Sequence, residues 1–127
     1  MRIIQLYSSL SYGDAIGNDI LALDAVIKAK GFDAKIYAEY IDKRISPELA
    51  SPFSQYEPQK TDVIILHVGG ASKINEWIKT VDCKKIMVYH NITTPDFFEE
   101  YNQKSAGYCQ RGLQQVQALN DTFDMVL

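Results

Sequence analysis

Short apolar runs alternate with helical stripes along almost the whole chain, and this alternation constrains the fold more than any other feature. A run of four to eight apolar residues reads as a strand buried on both faces. Apolar residues recurring every three or four positions read as a helix lying on a sheet. The two in alternation build βαβ units and hence a parallel sheet. Residues 2–7 form the first predicted strand. Ile16, Ile20, Leu23 and Ile27 then recur at i, i+4, i+7 and i+11, a stripe closed by Lys30-Gly31, where glycine suits the left-handed position after a helix. A second strand is predicted at 34–38. Val63-Ile64-Ile65-Leu66-His67 follows as a buried strand, then a short helix carrying Ile74, Trp77 and Ile78 on one face, then a strand at 85–89. The expected fold class is α/β, a doubly wound parallel sheet with helices on both faces.

The remaining segments fit the same plan. Residues 105–119 put Cys109, Leu113 and Val116 on one side and Gln and Arg on the other, which predicts a helix on the sheet and makes Cys109 a core residue. Between 42 and 62 lies a polar stretch with Pro47, Pro52 and Pro58. A structureless loop of that length is uncommon in a compact domain, so local structure is expected there, with Ser46-Pro47-Glu48 able to cap a short helical turn. Phe123-Asp124-Met125-Val126-Leu127 reads as the start of a strand, either a terminal edge strand or the passage into a second domain.

Composition removes several function classes. A chain of 127 residues fits one domain, and with 46% hydrophobic and 23% charged residues it is neither disordered nor fibrous. The net charge of −3 comes from scattered acids and bases with no Lys/Arg run, so no nucleic-acid partner is expected. The apolar N-terminus is too short for a signal peptide, and no apolar run approaches the ~20 residues of a membrane span. The expected location is cytoplasmic, with Cys83 and Cys109 as free thiols lacking metal-type spacing.

Ligands of open parallel sheets bind beyond the carboxyl ends of the strands, near the point where strand order reverses. Three loops leave such ends. The first, Ser8-Ser9-Leu10-Ser11-Tyr12-Gly13-Asp14-Ala15-Ile16-Gly17, is rich in hydroxyls and glycine, and its N–H groups with the following helix N-terminus suit an anion; glycine for turn geometry alone is the competing reading. It matches neither dinucleotide nor P-loop fingerprints. The second, His67-Val68-Gly69-Gly70-Ala71-Ser72, has paired glycines that permit positive φ and close approach. There Gly69 is read as structural and Ser72 as a helix N-cap, while His67 is open to either role. The third, Val88-Tyr89-His90-Asn91-Ile92-Thr93-Thr94-Pro95-Asp96-Phe97-Phe98, sets a histidine at a strand end before several hydrogen-bonding side chains, a pattern suited to a polyhydroxylated ligand or to a histidine tying down its own loop.

Tyr12-Gly13-Asp14-Ala15-Ile16-Gly17-Asn18-Asp19, Tyr37-Ala38-Glu39-Tyr40-Ile41-Asp42 and Tyr89-His90-Asn91-Ile92-Thr93-Thr94-Pro95-Asp96-Phe97-Phe98 together resemble the N-terminal domain of family 4 retaining glycosyltransferases of the GT-B fold. Cys109-Gln110-Arg111-Gly112-Leu113 sits where such domains carry their next helix. The resemblance implies a single Rossmann-like domain over residues 1–127, the acceptor side of a two-domain enzyme whose C-terminal domain binds the nucleotide sugar. It further implies a catalytic-site role for His90, positioning rather than general-base work, and an approach of the loop at Gly13 to Gly17 to the donor phosphate and acceptor. With the strand-end loops added, the expected substrate-binding residues are Gly13, Asp14, Gly17, His67, Gly70, Asn91 and Thr93. No metal or other cofactor is required by that family. Its paired glutamates and basic diphosphate site belong to the second domain and have no counterpart in this sequence. The 127-residue chain alone is therefore expected to be inactive, with a nucleotide sugar, an acceptor molecule and the C-terminal domain as its partners.

Two other classes compete. The hydroxyl-rich loop after the first strand would also serve a free-standing flavodoxin-like domain cradling a small molecule or nucleotide. A noncatalytic module would use the same strand-end surface to bind another protein. A phospho-receiver is excluded, because its clustered strand-end acids are replaced here by Tyr7-Ser8 and Leu66-His67.

Overall fold

A computed structural model of the chain describes residues 1–90, 110–111, 114–115 and 123–127. Its elements are β1 (Arg2–Leu10), α1 (Ala15–Ala29), β2 (Asp33–Ile41), β3 (Ser51–Pro52), β4 (Val63–Val68), α2 (Lys73–Trp77), β5 (Lys84–Tyr89) and β6 (Met125–Val126). Every strand pair is parallel, in the order β3-β2-β1-β4-β5-β6. Counted with the two-residue β3, this is the order of dinucleotide-binding sheets. Without β3, the other five strands have the order of flavodoxin-like sheets. Both orders reverse at the same place, between β1 and β4.

The expected α/β class and parallel sheet are present, with two boundary corrections. β1 runs through Ser8, Ser9 and Leu10, and β2 runs to Ile41, because Ser9 pairs with Tyr40 and Leu10 with Ile41. Ladder hydrogen bonds come from the backbone, so pairing continues past the point where the side chains turn polar. The loop after β1 shrinks to residues 11–14.

Helix α1 ends as its sequence predicts. Gly31 has φ +89°, the Phe32 N–H donates to the Ile27 carbonyl at 3.3 Å and the Gly31 N–H to that of Lys28 at 3.0 Å, the paired bonds of a Schellman cap. One face of the sheet packs Tyr7, Ile36 and Ala38 with Ile20 of α1 and with Ile45 and Ala50 from the β2–β3 connection. The other buries Ile4, Leu6, Ile64, Leu66, Val68 and Met87 beneath Ile74 and Ile78. Trp77 lies edge-on to Phe53 at 5.0 Å and to Tyr56 at 5.8 Å, in the packing role expected of it. Each fully buried Ile or Leu contributes about 1.5–3 kcal/mol from apolar area removed from water.

The 42–62 stretch does carry local structure, although not a helix at Ser46. Ser46 Oγ accepts from the Glu48 N–H at 3.4 Å within a turn, and a 3-10 turn follows at Phe53–Gln55. Asp62 anchors the stretch at the amino end of the sheet. Its carboxylate accepts from Arg2 Nε at 2.9 Å and Nη2 at 2.8 Å, from the Tyr56 hydroxyl at 2.8 Å and from the Gln59 N–H at 3.0 Å.

Of the predicted 105–119 helix, Gln110, Arg111, Gln114 and Gln115 are described and helical, while Cys109, Leu113 and Val116 lie outside the described residues. β6 pairs with the outer edge of β5, and the Asp124 carboxylate accepts from the Lys85 N–H at 2.8 Å. Among the described residues no helix is long and apolar enough to cross a membrane.

Candidate functional site

From the middle of β1 to the carboxyl ends of β4 and β5 three polar side chains climb the sheet as a staircase. Gln5 pairs in register with Ile65, and His67 lies two residues further along β4. His67 pairs with Val88, and His90 lies two residues beyond that on the far side of β5. In a sheet with period two, each step stays on one face and makes a diagonal contact within reach of a long side chain. Gln5 Nε2 donates to the Ile20 carbonyl of α1 at 2.9 Å, Gln5 Oε1 lies 2.8 Å from His67 Nε2, and His67 Nδ1 lies 3.0 Å from His90 Nε2. The two imidazoles meet edge to edge through these nitrogens, with centroids 5.3 Å apart and planes 23° from parallel, and Tyr7 meets His67 edge-on at 6.5 Å.

His67 is 4% exposed and Gln5 1%, whereas His90 is half-buried at the strand end. Burial, reinforced by repulsion from His90, pushes the His67 imidazolium down to about 4, so at neutral pH this ring is uncharged. The backbone completes the join, with the His90 N–H donating to the Val68 carbonyl at 2.9 Å. Sequence reasoning named both histidines but missed Gln5. The signal was there: a glutamine inside the apolar run Ile3-Ile4-Gln5-Leu6-Tyr7 has to find a partner once buried.

The first loop assigns its residues differently from the anion reading. Gly13, with φ +75°, makes the turn. Asp14 is the N-cap of α1, its carboxylate accepting from the Ile16 N–H at 3.4 Å. A carboxylate at the helix N-terminus disfavours a second anion there. Gly17 is buried in the first helical turn, where a Cβ would stand 2.8 Å from the Ser11 carbonyl oxygen. Beside the loop, Arg44 lies 4.9 Å over the Tyr12 ring and donates to Asp42 at 3.1 and 2.9 Å. These hydrogen bonds hold the Asp42 carboxyl well below its usual range. Tyr12 and Tyr40 are exposed.

Of the two uses that the paired glycines of the second loop permit, positive φ is not the one made of Gly69 or Gly70. Gly69 is needed for space instead, since a Cβ there would stand 2.8 Å from the Tyr7 hydroxyl and 3.2 Å from Ile16 Cδ1. The Gly70 carbonyl accepts from Asn75 Nδ2 at 3.0 Å. Ser72 is the N-cap of α2, as expected, and its Oγ donates to Glu39 Oε1 at 2.8 Å. Gln115, expected on the polar side of its helix, instead accepts from the Ser72 N–H at 3.0 Å and from Asn75 at 2.7 Å. A hollow of about 470 Å³ lined by Glu39, Pro52, Phe53, Ser54 and Lys73 opens on this end of the sheet.

Asn91 and Thr93 lie outside the described residues. Of the other predicted site residues, His67 and His90 are in contact, Gly13 and Asp14 form the turn after β1, and Gly17 and Gly70 serve packing and a backbone hydrogen bond. Cys83 is half-buried beside the core, where burial pushes its thiol up. No protein-family model, curated protein or solved structure matches this chain.

Proposed function

We propose that the chain is the acceptor-side, N-terminal half of a retaining glycosyltransferase that works against a second domain carrying the nucleotide-sugar site. The observation that carries this reading is the imidazole of His90, held by His67 at the carboxyl end of β5, one strand from the point where strand order reverses. Ligands of open α/β sheets gather at that point. Groups on the loops at this end of the sheet are of kinds that suit a polyhydroxylated ligand: the His90 imidazole, the Asp14 carboxylate on the turn after β1, and the exposed Tyr12 and Tyr40 rings.

In this reading His90 orients a sugar hydroxyl near the reacting centre, and donors of the facing domain stabilise the departing nucleoside diphosphate. The test is nucleoside-diphosphate release from a panel of nucleotide sugars, with the full-length gene product and the 127-residue chain assayed side by side. Turnover is expected from the full-length product only. Sustained turnover by the 127-residue chain would refute the division of the site between two domains, and none from the full-length product would sink the transferase reading.

One observation favours a flavodoxin-like binding domain instead: with the two-residue β3 set aside, the other five strands have the order 2-1-3-4-5. The four-residue loop after β1, closed by the Asp14 carboxylate, counts against a flavin phosphate. A purified protein that is yellow would reverse that preference.

A further inference from the structure

We infer that Gln5 and His67 are positioning residues that hold the proton of His90 on Nε2 and leave Nδ1 as the ring nitrogen offered to a ligand hydroxyl. The inference follows from donor and acceptor chemistry, step by step. The Ile20 carbonyl can only accept, so the Gln5 amide nitrogen faces it at 2.9 Å and the Gln5 oxygen faces His67. That oxygen can only accept, so His67 Nε2, 2.8 Å away, carries hydrogen. A neutral imidazole has one N–H, so His67 Nδ1 is a bare acceptor. His90 Nε2, 3.0 Å from it, must then be the donor.

The consequence lies at the half-buried end of the chain of bonds, His90. Neutral His90 has its lone pair on Nδ1, and protonated His90 still donates from Nε2, so both forms keep the same contact with His67. Proton uptake or release at Nδ1 needs no rearrangement of the buried pair. Nδ1 therefore accepts from a sugar hydroxyl when bare and donates to an oxygen when protonated. This ligand role rests on the glycosyltransferase reading, whereas the proton placement does not.

The experiment is ¹⁵N NMR of the histidine side chains in the 127-residue chain at neutral pH. Expected are protonated Nε2 and bare Nδ1 in His67, protonated Nε2 in His90, and a scalar coupling across the hydrogen bond between His67 Nδ1 and His90 Nε2. A proton on His67 Nδ1, or no coupling, would overturn the inference. In Gln5→Leu the buried ring loses its fixed acceptor, so the coupling should weaken and the His90 nitrogens should move toward averaged positions. An unchanged His90 spectrum in that folded variant would also overturn it. If Gln5→Leu fails to fold, the wild-type spectrum alone decides.

With the full-length gene product, Gln5→Leu should lower kcat by up to about 100-fold while leaving the donor KM nearly unchanged, the mark of lost orientation. An unaltered kcat would remove Gln5 from a positioning role. Absence of nucleotide-sugar turnover in the wild type would sink the transferase reading while the spectrum still decides the proton placement.

Discussion

His67 Nδ1 lies 3.0 Å from His90 Nε2, the two rings meeting edge to edge, although they are 23 positions and a strand crossover apart in the chain. Two imidazoles so close cannot both carry charge without strong repulsion. Burial keeps His67 neutral, since it sits edge-on to Tyr7 and beside Gln5. A neutral buried ring supporting a half-exposed one sets out the first two expectations.

Acid should destabilise the fold through His67 before the carboxylates matter. The unfolded residue titrates near 6.5, and in the fold its pKa is pushed down to about 4 by burial and by His90. Between those values the unfolded state binds the extra proton. This contribution is complete above pH 6.5 and is lost as the pH falls toward 4, by on the order of 3 kcal/mol. Urea midpoints at pH 7.5 and 4.5 check it. The wild type should lose more stability than His67→Gln, which keeps a hydrogen-bonding side chain and does not titrate; equal losses would contradict the assignment.

His90→Ala should separate function from folding. The variant leaves His67 Nδ1 without its donor, which costs about 1 kcal/mol of stability. If the chain is the transferase half proposed above, the same variant in the two-domain enzyme should lower turnover by roughly 100-fold or more. Unchanged turnover would remove His90 from the site.

Glycines 13 and 69 should fail for different reasons and be rescued differently. Gly13→Ala faces open space but has to adopt φ +75°, a cost of roughly 1–2 kcal/mol. Gly13→Asn should recover much of it, because asparagine visits the left-handed region. Gly69→Ala instead drives a Cβ against Tyr7 and Ile16, at about 1–3 kcal/mol, and Gly69→Asn should be worse. Thermal melts of the four variants read the contrast.

Asp62→Ala should be the most damaging change at the amino end of the sheet. It leaves Arg2, the Tyr56 hydroxyl and the Gln59 N–H without their shared acceptor, at about 3 kcal/mol. Burial alone would raise the Asp62 pKa, but these donors outweigh it and hold the carboxyl below its usual 3.8. Its contribution therefore survives at pH 4.5 and is lost only as the pH falls below the usual carboxylate range. A urea titration at pH 7 should show Asp62→Asn intermediate between wild type and Asp62→Ala.

The candidate site was legible in the sequence where one residue's place on one element was enough. His67 and His90 could be located because each ends an apolar run, and Ser72 because it precedes a helical stripe. Gln5 was not found, since its role depends on strand register and on a carbonyl of α1. The anion reading of the first loop missed that Asp14 would turn its own carboxylate onto the helix N-terminus. Gly69 was read as structural, as it is, but its reason is the Tyr7 ring on a neighbouring strand and not backbone conformation.

By itself, the sequence determined the types and order of α1, α2 and every strand but β3, and the parallel class of the sheet, because periodicity of two or 3.6 and the glycine after α1 are local properties of the chain. Tertiary structure alone decided the lengths of β1 and β2, the joining of Gln5, His67 and His90, and the protonation that follows. Those depend on which strands become neighbours and in what register. Neither is encoded near the residues concerned, since a side chain's partner across a sheet is set by pairing between distant segments and its charge state by what that pairing buries.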